Sequence, residues 1–177
     1  MHGPVFDAPG AFRVGVPGPG WKMYHNFTYG RRKLVAWERP GEDVDIRVTM
    51  NPIDEEARKV PLLTLAPSLM QNYGRARGIK TTVQTVQRVD FGAHEGLVVY
   101  ATRDAVYKVK RRVTQAFVRA GGDLIMVSYI ARPELYDKYA PDFEAACARF
   151  MVLQPADFPQ MGVPLPEDLP AAKQDQH

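Results

Sequence analysis

The side chains in this sequence with the means to do chemistry are few: four histidines, two serines, one cysteine and one concentrated run of basic residues. His2 and His177 sit in the terminal segments, and His25 and His94 fall in or beside expected turns. A metal site needs three or more ligands brought together, and no HxxxH or comparable spacing supplies them. Neither a metal nor any other cofactor is expected. Ser68 lies in a helical stretch and Ser128 in an apolar strand. Neither occupies a nucleophile elbow or adjoins a histidine, which argues against a hydrolase triad. Gly18-Pro19-Gly20 is not followed by a helix carrying Lys or Ser/Thr, so it is no phosphate cradle. Cys147 falls in a helical apolar stripe and reads as a small core residue; a lone cysteine excludes an internal disulfide and any multi-cysteine metal site.

The basic run is the one polar feature with a pattern. Lys108, Lys110 and Arg112 alternate with Val109 and Val113, which places the three cations on one face of a strand. Arg111 belongs to the same run, and Arg103, Tyr107 and Arg119 lie close by in sequence. One reading is a solvated sheet edge whose charges prevent aggregation. The other is a strip, formed by Arg103, Tyr107, Lys108, Lys110 and Arg112, that docks an acidic protein segment or an anionic lipid surface. Arg31-Arg32-Lys33 would extend it if the fold brought the two together. A net charge of +3 and a pI of about 9.0 permit an acidic partner but fall short of a nucleic-acid footprint, so no nucleic-acid partner is expected.

The elements that must position these residues follow from periodicity. The chain has one domain's length, and its 45% hydrophobic and 24% charged content is that of an ordinary soluble globular protein. No stretch has the length of a transmembrane helix and no signal peptide is visible. Residues 1–10, rich in Gly and Pro, read as a flexible lead-in. Residues 12–16 alternate as a short strand, closed by Pro17-Gly18-Pro19-Gly20 and by Trp21 packed at the edge of the core. Residues 22–29 fit a strand or an irregular loop. Residues 34–38 and 44–50 make a hairpin across Arg39–Asp43, and the second strand alternates so cleanly that its other face is wet or lies over a polar layer. Residues 51–60 are a charged connection with room for one helical turn. A helix capped by Thr64 carries Leu65, Leu69, Met70 and Tyr73 and stops at Gly78, which requires Pro67 to lie in its first turn.

Four antiparallel strands follow: 81–91, 97–102, a strand from Val109 through Phe117, and 124–130. The last two join through a Gly121-Gly122 turn, and the last is apolar on both faces, as a central strand is. A helix starts at Pro133-Glu134 and buries Leu135, Tyr139, Phe143, Ala146, Cys147 and Phe150, with a break expected near Ala140 because of Pro141. Residues 154–177 read as a Pro-rich extended or disordered tail. The fold class is α+β: an antiparallel sheet of about six to seven strands with helices packed on both faces.

Phe12-x-Val14-x-Val16-Pro17 with Gly20-Trp21, the mid-chain helix, the strand–turn–strand around Gly96 and the close from Tyr139-x-Pro141-x-Phe143 to Phe150 resemble PsbP-like domains. The resemblance spans residues 11–153 and implies an α/β/α sandwich. It also implies binding or assembly rather than catalysis, as in PsbP, a Ran-binding import factor and bacterial envelope lipoproteins, and it transfers no functional residue. The leading functional expectation is a non-catalytic binding domain of the bacterial cell envelope acting through protein–protein contacts. It would sit in the periplasm or on an outer-membrane anchor if an export signal has been removed, and otherwise in the cytoplasm. The alternatives are a cytoplasmic chaperone or adaptor for secreted effectors, which predicts a dimer, and an enzyme whose site would need a pocket with His25 or His94.

Overall fold

Alternating runs of β-branched and apolar residues pair, in the computed structural model, into one long antiparallel sheet. Its order is β3-β4-β5-β9-β8-β7-β6, from Lys22–Tyr29, Arg32–Glu38, Val44–Pro52, Asp123–Ala131, Lys110–Ala120, His94–Asp104 and Lys80–Phe91. The structure describes residues 4–104 and 109–153. β1 (Val5–Ala8), β2 (Phe12–Gly15) and β10 (Met151–Val152) form a second, three-stranded sheet of order β1-β2-β10. The expected α+β architecture with helices on both faces is the one observed.

β9 is the central strand anticipated from its continuous apolar run, and it lies between β5 and β8. The β8–β9 turn places Gly121 at φ +58°, a region glycine enters without steric cost. One face of the sheet packs on α3 (Pro133–Ala148) and the small sheet, around Phe12, Val14, Trp37, Ile46, Tyr129 and Phe143. The other packs on α2 (Leu62–Arg75), around Leu62, Met70, Leu97, Val99, Val113 and Phe117. A short α1 (Glu55–Lys59) precedes α2, its N-terminus capped by the Asp54 carboxylate accepting from Ala57 N. Gly74 permits the close approach of the next strand to the end of α2, since a Cβ there would stand 2.6 Å from the Ile79 carbonyl oxygen.

Several expectations are corrected. The lead-in over residues 1–10 contains β1, which pairs Phe6 with Val14 and sets the Phe6 ring edge-on to Trp37 at 5.9 Å. Backbone pairing with β2, the Asp7–Arg13 ion pair and the Phe6 ring together hold this segment. Of the two readings left open for residues 22–29, the strand is the one observed. α2 begins at Leu62 behind Pro61, so Thr64 is inside its first turn and caps nothing, and Pro67 lies beyond that turn. α3 runs unbroken through Pro141. Tyr136 and Tyr139 before the proline and Phe143 and Ala146 after it are all buried, and this packing on both sides offsets the lost backbone bond. Residues 154–177, where the sequence suggests an extended or disordered tail, lie outside the described residues.

Candidate binding cleft and sheet edge

The two faces of the sheet are covered unequally. α3 lies over β5, β8 and β9, with β2 beside it, whereas α2 lies over β6, β7 and part of β8. The α2-side surface of β5 and β9 is therefore left as the floor of a cleft whose wall is α2. Its wider part has a volume of about 450 Å³, lined by Leu69 and Met70 of α2 and by Phe117, Met126 and Ile130 of the sheet. A second part of about 330 Å³ continues past Arg47, Tyr73, Arg103 and Ile130, which the two share, toward Asp43, Asp45 and Arg111. One end of the cleft is apolar and the other is charged.

The junction between these ends is built by register. Ile46 pairs with Tyr129 on the α3 side, so Asp45, Arg47 and Thr49 face the cleft. This is the polar layer that the alternation of residues 44–50 indicated. Arg47 donates to Asp45 Oδ2 at 2.6 Å and to the Tyr24 hydroxyl at 3.1 Å, and Tyr24 donates to the same carboxylate oxygen at 3.1 Å. Burial, and then the Asp45 charge, pushes the Tyr24 hydroxyl up to about 12. Arg103 sits beside this group with its guanidinium 5.1 Å from the centre of the Tyr73 ring, and Arg77 stacks on the same ring at 3.8 Å. Among the described residues no carboxylate forms an ion pair with Arg103, and burial lowers its pKa. Arg103 Nε, Arg47 Nε, Asp45 Oδ1 and Thr49 Oγ1 are buried with no hydrogen-bond partner among the described residues.

The basic run does not form one strip. β8 is an interior strand, so the reading of a solvated sheet edge is overturned. Arg103 pairs with Arg111 across β7 and β8, which places both on the cleft side; Arg112 pairs with Thr102 on the opposite side. There Arg112 stacks on Tyr136 at 3.9 Å and bonds Asp137 at 3.3 Å. Arg111 is held by Asp43 at 2.9 Å, and Arg119 donates to the Ala57, Arg58 and Val60 carbonyls at the end of α1. Lys110 is exposed at the start of β8. Tyr107 and Lys108 lie outside the described residues. Arg31 bonds Asp123 at the far end of the sheet, roughly 33 Å along the strands from Lys110. The turn carrying Arg31, Arg32 and Lys33 therefore extends nothing at the cleft's charged end.

His25, exposed on β3, and His94, at the start of β7, are five strand spacings apart, about 24 Å, and share no site. No group of three His, Cys, Asp or Glu side chains is placed to hold a metal among the described residues. Ser128 lies on the cleft floor, buried, with no histidine near it in the lining. Cys147 is half-buried under α3 and lines a separate cavity of about 480 Å³ with Phe91 and Phe150. Burial, and then Glu144, pushes its thiol up to about 12, which suppresses the thiolate at neutral pH.

The second exposed feature is β3, the outermost strand beyond the cleft. It is open on both faces as well as along its edge, and it exposes Met23 by 42%, Phe27 by 52% and Tyr29 by 73%. The other outer strand, β6, is lined with Thr, Gln and Arg and lies against α2. A register shift between Met23 and His25 disturbs the start of β3 and leaves Asn26–Tyr29 regular.

By sequence, the chain matches no protein-family model and no curated protein. By structure, it resembles proteins of the PsbP-like fold, and it has that fold. The solution structure of cyanobacterial PsbP (CyanoP) from Synechocystis sp. PCC 6803 aligns over 81% of this chain and 87% of its own, with a TM-score of 0.62 at 13% identity. The Saccharomyces cerevisiae Ran-binding protein Mog1p aligns over 83% and 93%, with 0.58 at 11% identity. LpqN of Mycobacterium tuberculosis, involved in cell envelope biogenesis, aligns over 82% and 86%, with 0.57 at 13% identity.

Proposed function

We propose that this chain is a non-catalytic binding domain that works by contact with a partner protein, docked along β3. The observation that carries this reading is the outer strand itself: eight residues, one hydrogen-bonding edge unpaired among the described residues, and three large apolar side chains exposed. Such an edge accepts an added strand, with backbone bonds supplying affinity and alternate side chains supplying specificity. The basic turn Arg31-Arg32-Lys33 follows β3 directly, so the segment that fits is apolar with acidic residues at one end. The fold is shared with a Ran-binding protein and with a protein of cell envelope biogenesis, which supports a binding role and is compatible with an envelope location. No helix among the described residues is long and apolar enough to cross a membrane.

A photocrosslinking side chain at Tyr29, introduced in the native host, tests the reading. A discrete adduct at Tyr29, absent when the same group replaces exposed Leu63 on α2, is expected, and Phe27→Glu should remove it. Light scattering of the purified chain resolves whether the adduct is a second copy: a dimer dissolved by Phe27→Glu would favour the adaptor reading. A 19.9 kDa monomer with no Tyr29 adduct would overturn the proposal.

A further inference from the structure

The cleft is not needed for docking along β3, and its composition asks for a different kind of occupant. Its floor is the face of three interior strands, whose backbone groups are already bonded to neighbouring strands. An extended peptide laid there would leave its own N–H and C=O groups without partners. An apolar chain carries no such groups. The volume of about 450 Å³ lies within the range of small-ligand sites. Asp45 pairs with Arg47 through Oδ2, its Oδ1 staying buried without a partner; farther into the charged part, which Glu38 also lines, Asp43 pairs with Arg111 and Arg132 and Glu42 with Arg39. Among the described residues no carboxylate is in ion-pair contact with Arg103, which feels the Asp45 charge only at longer range and lies where the apolar part ends. A half-buried guanidinium without a counter-ion costs stability unless something anionic completes it.

We infer that the cleft binds a small amphiphilic anion, with its apolar chain over Phe117, Met126 and Met70 and its acidic head on Arg103. The head accepts from the Arg103 guanidinium, a partly exposed cation of the lining. Carboxylate and phosphate heads share this chemistry. The inference goes beyond the protein-contact reading and does not rest on it, since β3 and the cleft are tested by different variants.

The test is titration calorimetry of the full chain, below micellar concentrations, with decanoate, decyl phosphate, decanol and decylamine. Methyl-labelled methionine spectra would report Met70 and Met126. One or both anions should bind and shift both methyl signals, with decanol weaker and decylamine weakest. Which anion binds more tightly separates a fatty-acid source from a phospholipid-like one. Arg103→Gln should weaken the anion about tenfold or more while leaving decanol unchanged, because only a charged hydrogen bond is lost. The same variant should raise the melting temperature of the unliganded protein, which shows that it folds. Thr49→Phe, which fills the middle of the cleft, should abolish binding of every chain. Absence of binding by all four amphiphiles, as expected if the cleft instead received a partner's helix, would overturn the inference. So would equal affinity for anion and decanol with no effect of Arg103→Gln, or binding that survives Thr49→Phe.

Discussion

Asp43 shows how one carboxylate can set the geometry of a region. It sits at the start of β5, accepts from Arg111 of β8 and from Arg132 ahead of α3, and its carbonyl oxygen takes the Arg132 backbone N–H. Burial works to raise its pKa, but the bonds from Arg111 and Arg132 outweigh it and hold the carboxyl below its ordinary value. Because the folded value is the lower one, this stabilisation is complete above about pH 4 and is lost as the pH falls through the folded value. Asp43→Asn should cost about 1 kcal/mol at neutral pH, modest because the partners are partly solvated. It should also flatten the acid limb of the stability curve, as urea unfolding from neutral pH down to about pH 2 would show. An unchanged acid limb would mean that the carboxylate is not the group being titrated. The same residue explains why the basic run misled. Arg111 and Arg112 look alike in the sequence, yet one is held by Asp43 on the cleft side and the other by Tyr136 and Asp137 on the α3 side. Strand alternation separates them, but only the register of β7 against β8 decides which of them joins Arg103. That register depends on pairing across strands and is not written in either strand alone.

Among the elements, α3 departs most from its local preferences. Pro133 suits the first turn, where its missing N–H would be unpaired in any case. Pro141 is internal and deprives the Asp137 carbonyl of its helical partner. Pro141→Ala should restore that bond and stabilise the protein by about 1–3 kcal/mol, seen as a higher melting temperature. A lower one would mean that the ring itself is needed for the fit of α3 to β8 and β9. The apolar stripe of α3 was readable from its spacing, while its continuity was not, because continuity depends on the tertiary packing of Tyr136, Tyr139 and Phe143. β3 could not be told from an irregular loop for a related reason. A strand buried on neither face has no alternation to display. β9, buried on both faces, could be assigned from composition alone.

The whole molecule is asymmetric about its sheet. One side is closed by α3 and a second small sheet, and the other is closed by α2 over only part of its width. Hydrogen exchange should follow this layout: slowest in β8 and β9, which have neighbours on both edges and few exposed residues, and fastest among the strands of the large sheet in β3. Protection of β3 equal to that of β9 in a dilute monomer would contradict the arrangement. The layout also explains what the resemblance to PsbP-like domains could and could not deliver. The matching positions, such as Phe12, Val14, Trp21, Phe143 and Phe150, lie in or against the α3-side core, so they report the fold. The cleft draws on Arg47, Thr49, Arg103 and Ser128, none of which belongs to that pattern.

One consequence concerns how such a chain can change over generations. Along β5, β8 and β9, neighbouring residues point to opposite sides of the same sheet. A substitution at Arg47, Thr49, Gln115 or Ser128 alters the cleft without entering the aromatic core, and one at Ile46, Val48 or Tyr129 does the reverse. The two sides can drift independently while sharing a single backbone. A scaffold of this kind can keep its shape at 13% identity while the residues of one side are replaced.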